Sequence, residues 1–189
     1  MDFEEDIKNS VATLAQGGTL LYPTDTIWGL GCDATSAAAV ERIFHIKQRP
    51  QEKSMIVLLA EPKDILQYVA TPHPDIIDIV SQFDRPTTVI FQNAIDLAEN
   101  LVNADGSIAI RIPADPFCKA LLKRFRKPIV STSANISGQP SPQTFAGVSN
   151  EIIQAADYTV RYRQDDTETR QPSRLVRLND NGELEIIRA

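Results

Sequence analysis

Helical and extended patterns of apolar residues alternate along the chain, with no internal repeat. Residues 3–16 predict a helix that Gly17-Gly18 terminates, and the short strand Thr19-Leu20-Leu21-Tyr22 follows. Residues 23–35, punctuated by Pro23, Gly29 and Gly31, read as a loop. Ser36 can cap a helix over 37–48 in which Val40, Ile43, Phe44 and Lys47 fall at i, i+3, i+4 and i+7, so a lysine ends a core-facing stripe. Met55-Ile56-Val57-Leu58-Leu59 is an uninterrupted apolar run, the mark of a strand covered on both faces. Helices follow over 61–69 and 73–82, then strands over 87–91, 107–112 and 128–132, with a helix over 116–126 before the last of these. A helix over 144–155 and strands over 157–162, 174–178 and 183–188 complete the pattern, with Asn179-Asp180-Asn181-Gly182 as a hairpin turn. The polar, aperiodic segment 163–172 reads as a mobile loop and a candidate lid. The order predicts an α/β fold, a mixed sheet with helices packed against it, in one domain over residues 1–189.

A chain of 189 residues can bury well over half of its unfolded surface without a covalent staple. Cys32 and Cys118 lie far apart and form no CxxC, and His45 and His73 are the only histidines, which disfavours a disulfide framework and a His/Cys zinc site alike. The first residues are acidic where a secretory signal would be basic, and no apolar run approaches the roughly eighteen residues of a membrane span, so the cytoplasm is the expected location. The formal net charge of −6 works against broad, sequence-blind nucleic-acid binding but leaves room for a local basic pocket.

Two loops carry the candidate chemistry. Lys47, Arg49 and Lys53 form a cationic loop after one helix, and Ser131-Thr132-Ser133-Ala134-Asn135 forms a hydroxyl-rich loop after a strand. Each follows an apolar element and so belongs at the mouth of a packed core. Cations facing short donors and acceptors suit a polyphosphate, with the arginine fork able to grip two oxygens at once. The standard nucleotide motifs are missing: nothing matches Walker A, and no GxGxxG follows a strand. No Gly-x-Ser-x-Gly elbow exists, and neither histidine has an evident nucleophile partner. Charge stabilisation and positioning remain as the route to catalysis.

Four motifs together resemble one family. Tyr22-Pro23-Thr24-Asp25-Thr26-Ile27-Trp28-Gly29-Leu30-Gly31, Ile46-Lys47-Gln48-Arg49-Pro50 with Lys53, Ile110-Arg111-Ile112-Pro113, and Ser131-Thr132-Ser133-Ala134-Asn135-Ile136-Ser137-Gly138 are similar, in order and spacing, to the YrdC/TsaC family. The resemblance implies a twisted mixed sheet with flanking helices around one large electropositive cavity. It also implies an L-threonylcarbamoyladenylate synthase, a nucleotidyltransferase that joins L-threonine, bicarbonate and ATP into threonylcarbamoyl-AMP and pyrophosphate. That product serves threonylcarbamoyl modification of the adenosine beside the tRNA anticodon, through a separate tRNA threonylcarbamoyltransferase complex; a weak contact with tRNA itself is left open. The additional C-terminal domain of longer relatives is expected to be absent.

By that resemblance, Thr26, Arg111, Ser131 and Ser173 are the expected threonine contacts. Arg49, Lys53, Ser107, Ser133, Asn135, Ser141 and Arg188 are the expected ATP contacts, and Lys47, Arg49 and Lys53 the catalytic cations. Ser107 and Arg111 lie four residues apart, and strand alternation would point them to one face. Magnesium is expected to arrive on ATP, because no carboxylate cluster marks a metal cage. Two departures from the family pattern stand out: Leu58 occupies a position where some members carry a threonine-holding histidine, and Asp84-Arg85-Pro86-Thr87 replaces a Pro-Gly-Pro turn.

Structural roles compete with each assignment. Lys47 can complement a helix dipole, Arg49 and Lys53 can be a solvated loop, Arg111 can be half of a buried ion pair, and Ser131–Asn135 can satisfy local backbone groups. Tyr22 and Trp28 read as wall or core. Two other functions stay open: an RNA-binding module using the same basic cavity, and a carbamoyl-transfer maturation enzyme.

Overall fold

The computed structural model describes residues 3–48, 55–179 and 182–189. Its apolar strands alternate between two cores. Leu21, Leu30, Val57, Leu59 and Val130 belong to one buried cluster, while their strand neighbours Leu20, Tyr22, Leu58 and Ile129 belong to another. Successive side chains of a strand point to opposite faces, so two clusters fed by alternate residues mean a sheet covered on both sides.

Among the described residues nine strands form that sheet: β1 (Leu20–Tyr22), β2 (Gly29–Gly31), β3 (Ile56–Leu58), β4 (Thr87–Phe91), β5 (Ile108–Arg111), β6 (Ile129–Ser133), β7 (Tyr158–Thr159), β8 (Arg174–Leu178) and β9 (Leu184–Arg188). Their order is β7-β1-β2-β6-β3-β5-β4-β8-β9. The pairs β1/β7, β3/β5 and β4/β8 are parallel and the rest antiparallel, which makes the sheet mixed as expected. The helices are α1 (Glu4–Ala15), α2 (Ala37–Lys47), α3 (Ile65–Tyr68), α4 (Ile76–Ser81), α5 (Pro116–Phe125) and α6 (Asn150–Ala155). Helices α1 and α5 contribute Ile7, Leu14, Phe117, Leu121 and Leu122 to one core, and α2 contributes Ala39, Val40, Ile43 and Phe44 to the other.

Local chemistry sets several of these boundaries. Ser36 Oγ accepts from the Ala39 amide at 3.3 Å and starts α2, and Asp115 Oδ1 accepts from the Cys118 amide at 2.9 Å and starts α5 with Pro116 in its first turn. Gly17, at φ +75°, ends α1 as the sequence predicts. At the other end of the chain the Asn179 amide bonds Glu183 O at 3.0 Å, joining β8 to β9; the turn residues 180 and 181 lie outside the described residues.

Five expectations change. The region 23–35 is not all loop, since Gly29–Gly31 is a strand inserted between β1 and β6. The helix expected over 61–69 is a 3₁₀ turn at Pro62–Asp64 followed by the single turn α3, and that over 73–82 shrinks to Ile76–Ser81. The helix expected over 144–155 divides into a 3₁₀ turn, Phe145–Gly147, and α6. Val148 leaves the helical region at ψ 130°, and the Ser149 hydroxyl opens α6 by accepting from the Ile152 amide at 3.4 Å. The strand over 157–162 is reduced to two residues, because the amides of Arg161 and Tyr162 bond the buried Asp6 carboxylate at 3.1 and 2.8 Å instead of a ladder. Segment 163–172 has no helix or strand, but Arg163 ties it to the Asp115 carboxylate at 2.8 Å and to Asp166 at 3.2 Å, and Arg170 binds the same Asp166 at 2.8 Å. The Glu168 amide and these arginines hold the Asp166 carboxyl down at about 2.

Strand β2 is glycine-rich because its neighbours approach too closely for a side chain. A Cβ on Gly31 would sit 2.4 Å from Val130 O and 2.7 Å from Tyr22 Cε1. The Tyr22 hydroxyl donates to that same Val130 carbonyl at 3.1 Å, so neither neighbour can give way freely. Gly31→Ala should therefore cost about 1–3 kcal/mol of unfolding free energy, measured by urea denaturation. An unchanged midpoint would show that β1 and β6 separate easily.

Candidate functional site

The cavity begins with a buried cation. Lys47, the last residue of α2, has no exposed surface, and its Nζ donates to the carbonyl oxygens of Ser133 and Asn135, the latter at 2.7 Å, and lies 3.3 Å from Asn135 Oδ1. The Ser137 amide answers by donating to Lys47 O at 2.8 Å. Asn135 Nδ2 folds the loop on itself through Ile136 O at 3.0 Å and Gln139 O at 2.6 Å. The end of α2 thus fixes the hydroxyl loop after β6. Gln48, at φ 49°, turns the chain out of the helix in the left-handed conformation immediately afterwards.

A second cation lies across the sheet. Arg111, the last residue of β5, is 3% exposed. Its Nη1 donates to Thr26 Oγ1 at 2.9 Å, and its Nη2 is 3.5 Å from Asp25 Oδ1. Thr24 Oγ1 meets Thr26 Oγ1 at 2.9 Å and accepts from the Thr26 amide at 3.0 Å, which locks the turn that carries both partners. Among the described residues, Arg111 Nε and Asp25 Oδ1 are buried without a hydrogen-bond partner. Unsatisfied buried donors and acceptors are uncommon and costly, and two of the four such side-chain atoms among the described residues lie at this corner.

Between the two cations lies a cavity of about 310 Å³. Thr26, Arg111, Ser131, Ser133, Ser141, Ser173 and Arg188 line it, with Trp28, Met55, Ile56, Ala109 and Leu175 as apolar wall. Its described lining carries two arginines and no carboxylate. Thr88 Oγ1 and Ser173 Oγ are 2.8 Å apart, and Arg188 Nη2 donates to Ser173 O at 2.9 Å, so the far rim is held between β4, β8 and β9. Seven of the expected contacts therefore converge. Asn135 and Lys47 stand behind the wall and shape it. Ser107 stands apart: it precedes β5, its hydroxyl accepts from Asn103 Nδ2 at 2.9 Å, and it does not line the cavity. Arg49 and Lys53 lie outside the described residues.

Sequence reasoning assigned no role to Asp25 or Thr24: an arginine in an apolar strand calls for a carboxylate, but nothing local singles out Asp25, some eighty-six positions upstream, as the one that answers. Trp28 is cavity wall and packs on Phe145 with ring centroids 4.8 Å apart. Tyr22 is core, and burial holds its phenol well above its usual range, leaving it a neutral donor. Leu58 is buried in the core with α1 and α5 and is not cavity lining. Arg85 lies in a separate cavity, where Thr87 Oγ1 bonds Arg85 O at 3.0 Å and Pro86 O accepts from the Arg174 amide at 2.9 Å, so this turn begins the β4/β8 pairing.

A family model described as "Telomere recombination", Sua5/YciO/YrdC, matches residues 12–189. The chain belongs to this family. It is 36% identical over 163 residues to a threonylcarbamoyl-AMP synthase of Pseudoalteromonas translucida, covering 85% of this chain and 87% of that one. It is 32% identical over 186 residues to a threonylcarbamoyl-AMP synthase of Xanthomonas euvesicatoria pv. vesicatoria, covering 97% of both. Two solved structures of P. abyssi Sua5, a variant and a complex with L-threonine, resemble the fold with TM-scores of 0.85 and 0.82 at 25% and 23% identity. This chain is matched over 94% and 93% of its length and spans about half of the P. abyssi protein, 54% and 51%. The YrdC-type resemblance and the mixed-sheet fold read from the sequence are thereby established. No helix among the described residues is long and apolar enough to cross a membrane.

The Lys47 contacts make a direct test of how the family's hydroxyl loop is held here. Lys47→Met keeps the apolar stem but removes the ammonium that joins the Ser133 and Asn135 carbonyls, leaving Ser133 O only the Asn135 amide among the described residues, so unfolding free energy should fall by about 1–3 kcal/mol, read by chemical denaturation. Unaltered stability would mean that the loop holds its shape without the ammonium.

Proposed function

We propose that the chain is an L-threonylcarbamoyladenylate synthase acting on L-threonine, bicarbonate and ATP. The observation that carries this reading is the arginine corner: Arg111 held by Thr26 beside a hydroxyl-lined cavity, in a chain whose relatives are threonylcarbamoyl-AMP synthases. L-Threonine bound to the P. abyssi Sua5 protein supports the same choice of substrate.

In this reading the Arg111 guanidinium takes the threonine carboxylate as a planar fork, and Ser131 and Ser173 orient the rest of the amino acid. The neutral amine adds to bicarbonate with loss of water to give a carbamate. A carbamate oxygen attacks the α-phosphorus of ATP in line, and pyrophosphate leaves. Ser133, Ser141 and Arg188 face the nucleotide, with Asn135 setting the loop that carries the two serines, and Arg49 and Lys53 neutralise phosphate charge. Ser107 is the weakest of the expected nucleotide contacts, because it lies outside the cavity lining. Lys47 acts by holding the loop. Magnesium enters as part of the ATP substrate, held on the phosphate oxygens. The labile adenylate then passes to a tRNA threonylcarbamoyltransferase complex, in the cytoplasm.

The purified protein with magnesium should release pyrophosphate only when ATP, L-threonine and bicarbonate are all present, and without tRNA. Serine lacks a methyl group whose burial is worth about 1 kcal/mol, so it should be the poorer substrate by roughly fivefold. Pyrophosphate release indifferent to threonine, or none from folded protein that binds RNA tightly, would sink the reading and favour the RNA-binding alternative.

A further inference from the structure

Arg111 is a nearly buried cation whose guanidinium makes one hydrogen bond among the described residues, to a neutral hydroxyl, Thr26. A guanidinium removed from water needs an opposite charge close by. Asp25 supplies it. The Asp25 side chain is 10% exposed, and its two oxygens do different things. Oδ2 accepts from the Ala114 amide at 2.9 Å, which pins the carboxylate to the chain just beyond β5. Oδ1 is buried, has no hydrogen bond and lies 3.5 Å from Arg111 Nη2, near enough for attraction but outside hydrogen-bond geometry. Arg111 lines the cavity of the proposed substrates, whereas Asp25 lines a different cavity of about 470 Å³ with Arg85, Pro86 and Lys119. The carboxylate therefore stands behind the arginine as seen from the site.

We propose that Asp25 is a positioning residue for Arg111. It holds the guanidinium charge at the cavity wall from behind, while Thr26 fixes the tilt of the fork from the side, so that the remaining N–H donors are aimed at an incoming carboxylate. The gap at Oδ1 is part of the device: a tight bidentate pair would occupy the donors that the ligand needs. The inference rests on the reading of Arg111 as the threonine carboxylate site.

The test compares Asp25→Asn, Arg111→Lys and the double variant with the unaltered protein, using calorimetric binding of L-threonine, L-threoninamide and ATP together with steady-state kinetics. Asn keeps an acceptor for the Ala114 amide but removes the charge. Asp25→Asn should weaken L-threonine about tenfold, the scale of one charge-assisted contact, and raise the KM for threonine while kcat holds. Affinity for L-threoninamide, which has no carboxylate, and for ATP should each change by less than about twofold, and Asp25→Asn should add less than about twofold to Arg111→Lys because the two residues act as one unit. Should Asp25→Asn fail to fold, Asp25→Glu keeps the charge and should retain the preference for L-threonine over L-threoninamide. Equal losses for acid and amide, additive losses in the double variant, or loss of that preference in Asp25→Glu would overturn the assignment. Loss of threonine binding in Arg111→Lys without any in Asp25→Asn overturns it too, and leaves the proposed function standing. Threonine binding unmoved by Arg111→Lys would remove the function reading itself.

Discussion

The ammonium of Lys47, out of reach of water at the end of α2, grips the carbonyls of Ser133 and Asn135, and the shape of the cavity follows from that grip. A lysine stem can run along apolar core, but its charge needs oxygen partners, and buried carbonyls in turn need donors. Each need answers the other only if the chain after β6 turns back toward α2. The serines of this stretch then stand along the cavity instead of facing solvent. Without the lysine, two short polar segments would have no reason to meet at this place.

Arg111 poses the complementary problem on the opposite wall. The lysine is fully enclosed by carbonyl oxygens of the fold, whereas the arginine is left with donors to spare and a carboxylate held slightly too far away. The same elementary cost, that of burying charge, therefore produces a structural clamp at one site and a recognition site at the other.

What the sequence made legible follows the same division. Helix α2 was readable because the capping Ser36 and an apolar stripe are local signals, and the helix expected over 116–126 is α5, whose Asp115 cap the structure adds. Lys47 at the end of the α2 stripe, the hydroxyl loop and Arg111 on its strand could each be named from the sequence, but the sequence set the lysine facing the loop across a ligand, whereas the fold bonds it to the loop's own carbonyls and leaves Arg111 as the cation of the opposite wall. Strand β2 was hidden, since three residues with two glycines carry no strand propensity and form a strand only because β1 and β6 approach from either side. The break before α6 was hidden by a local competition that Ser149 wins as a cap. Ser107 sits on the predicted strand pattern but starts one residue too early, in a turn where Asn103 and Asp105 take its polar groups. The role of Asp25 was unreadable because its charge matters only once the fold brings it behind Arg111, a residue distant in sequence.

The most direct test of this account is a crystal structure of the protein with L-threonine. The account predicts the amino acid in the cavity between β5 and β6, its carboxylate within hydrogen-bond distance of the Arg111 guanidinium and its side chain toward Ser131 and Ser173. Threonine lodged with its carboxylate away from Arg111, or occupying the cavity lined by Asp25, Arg85 and Lys119, would contradict it.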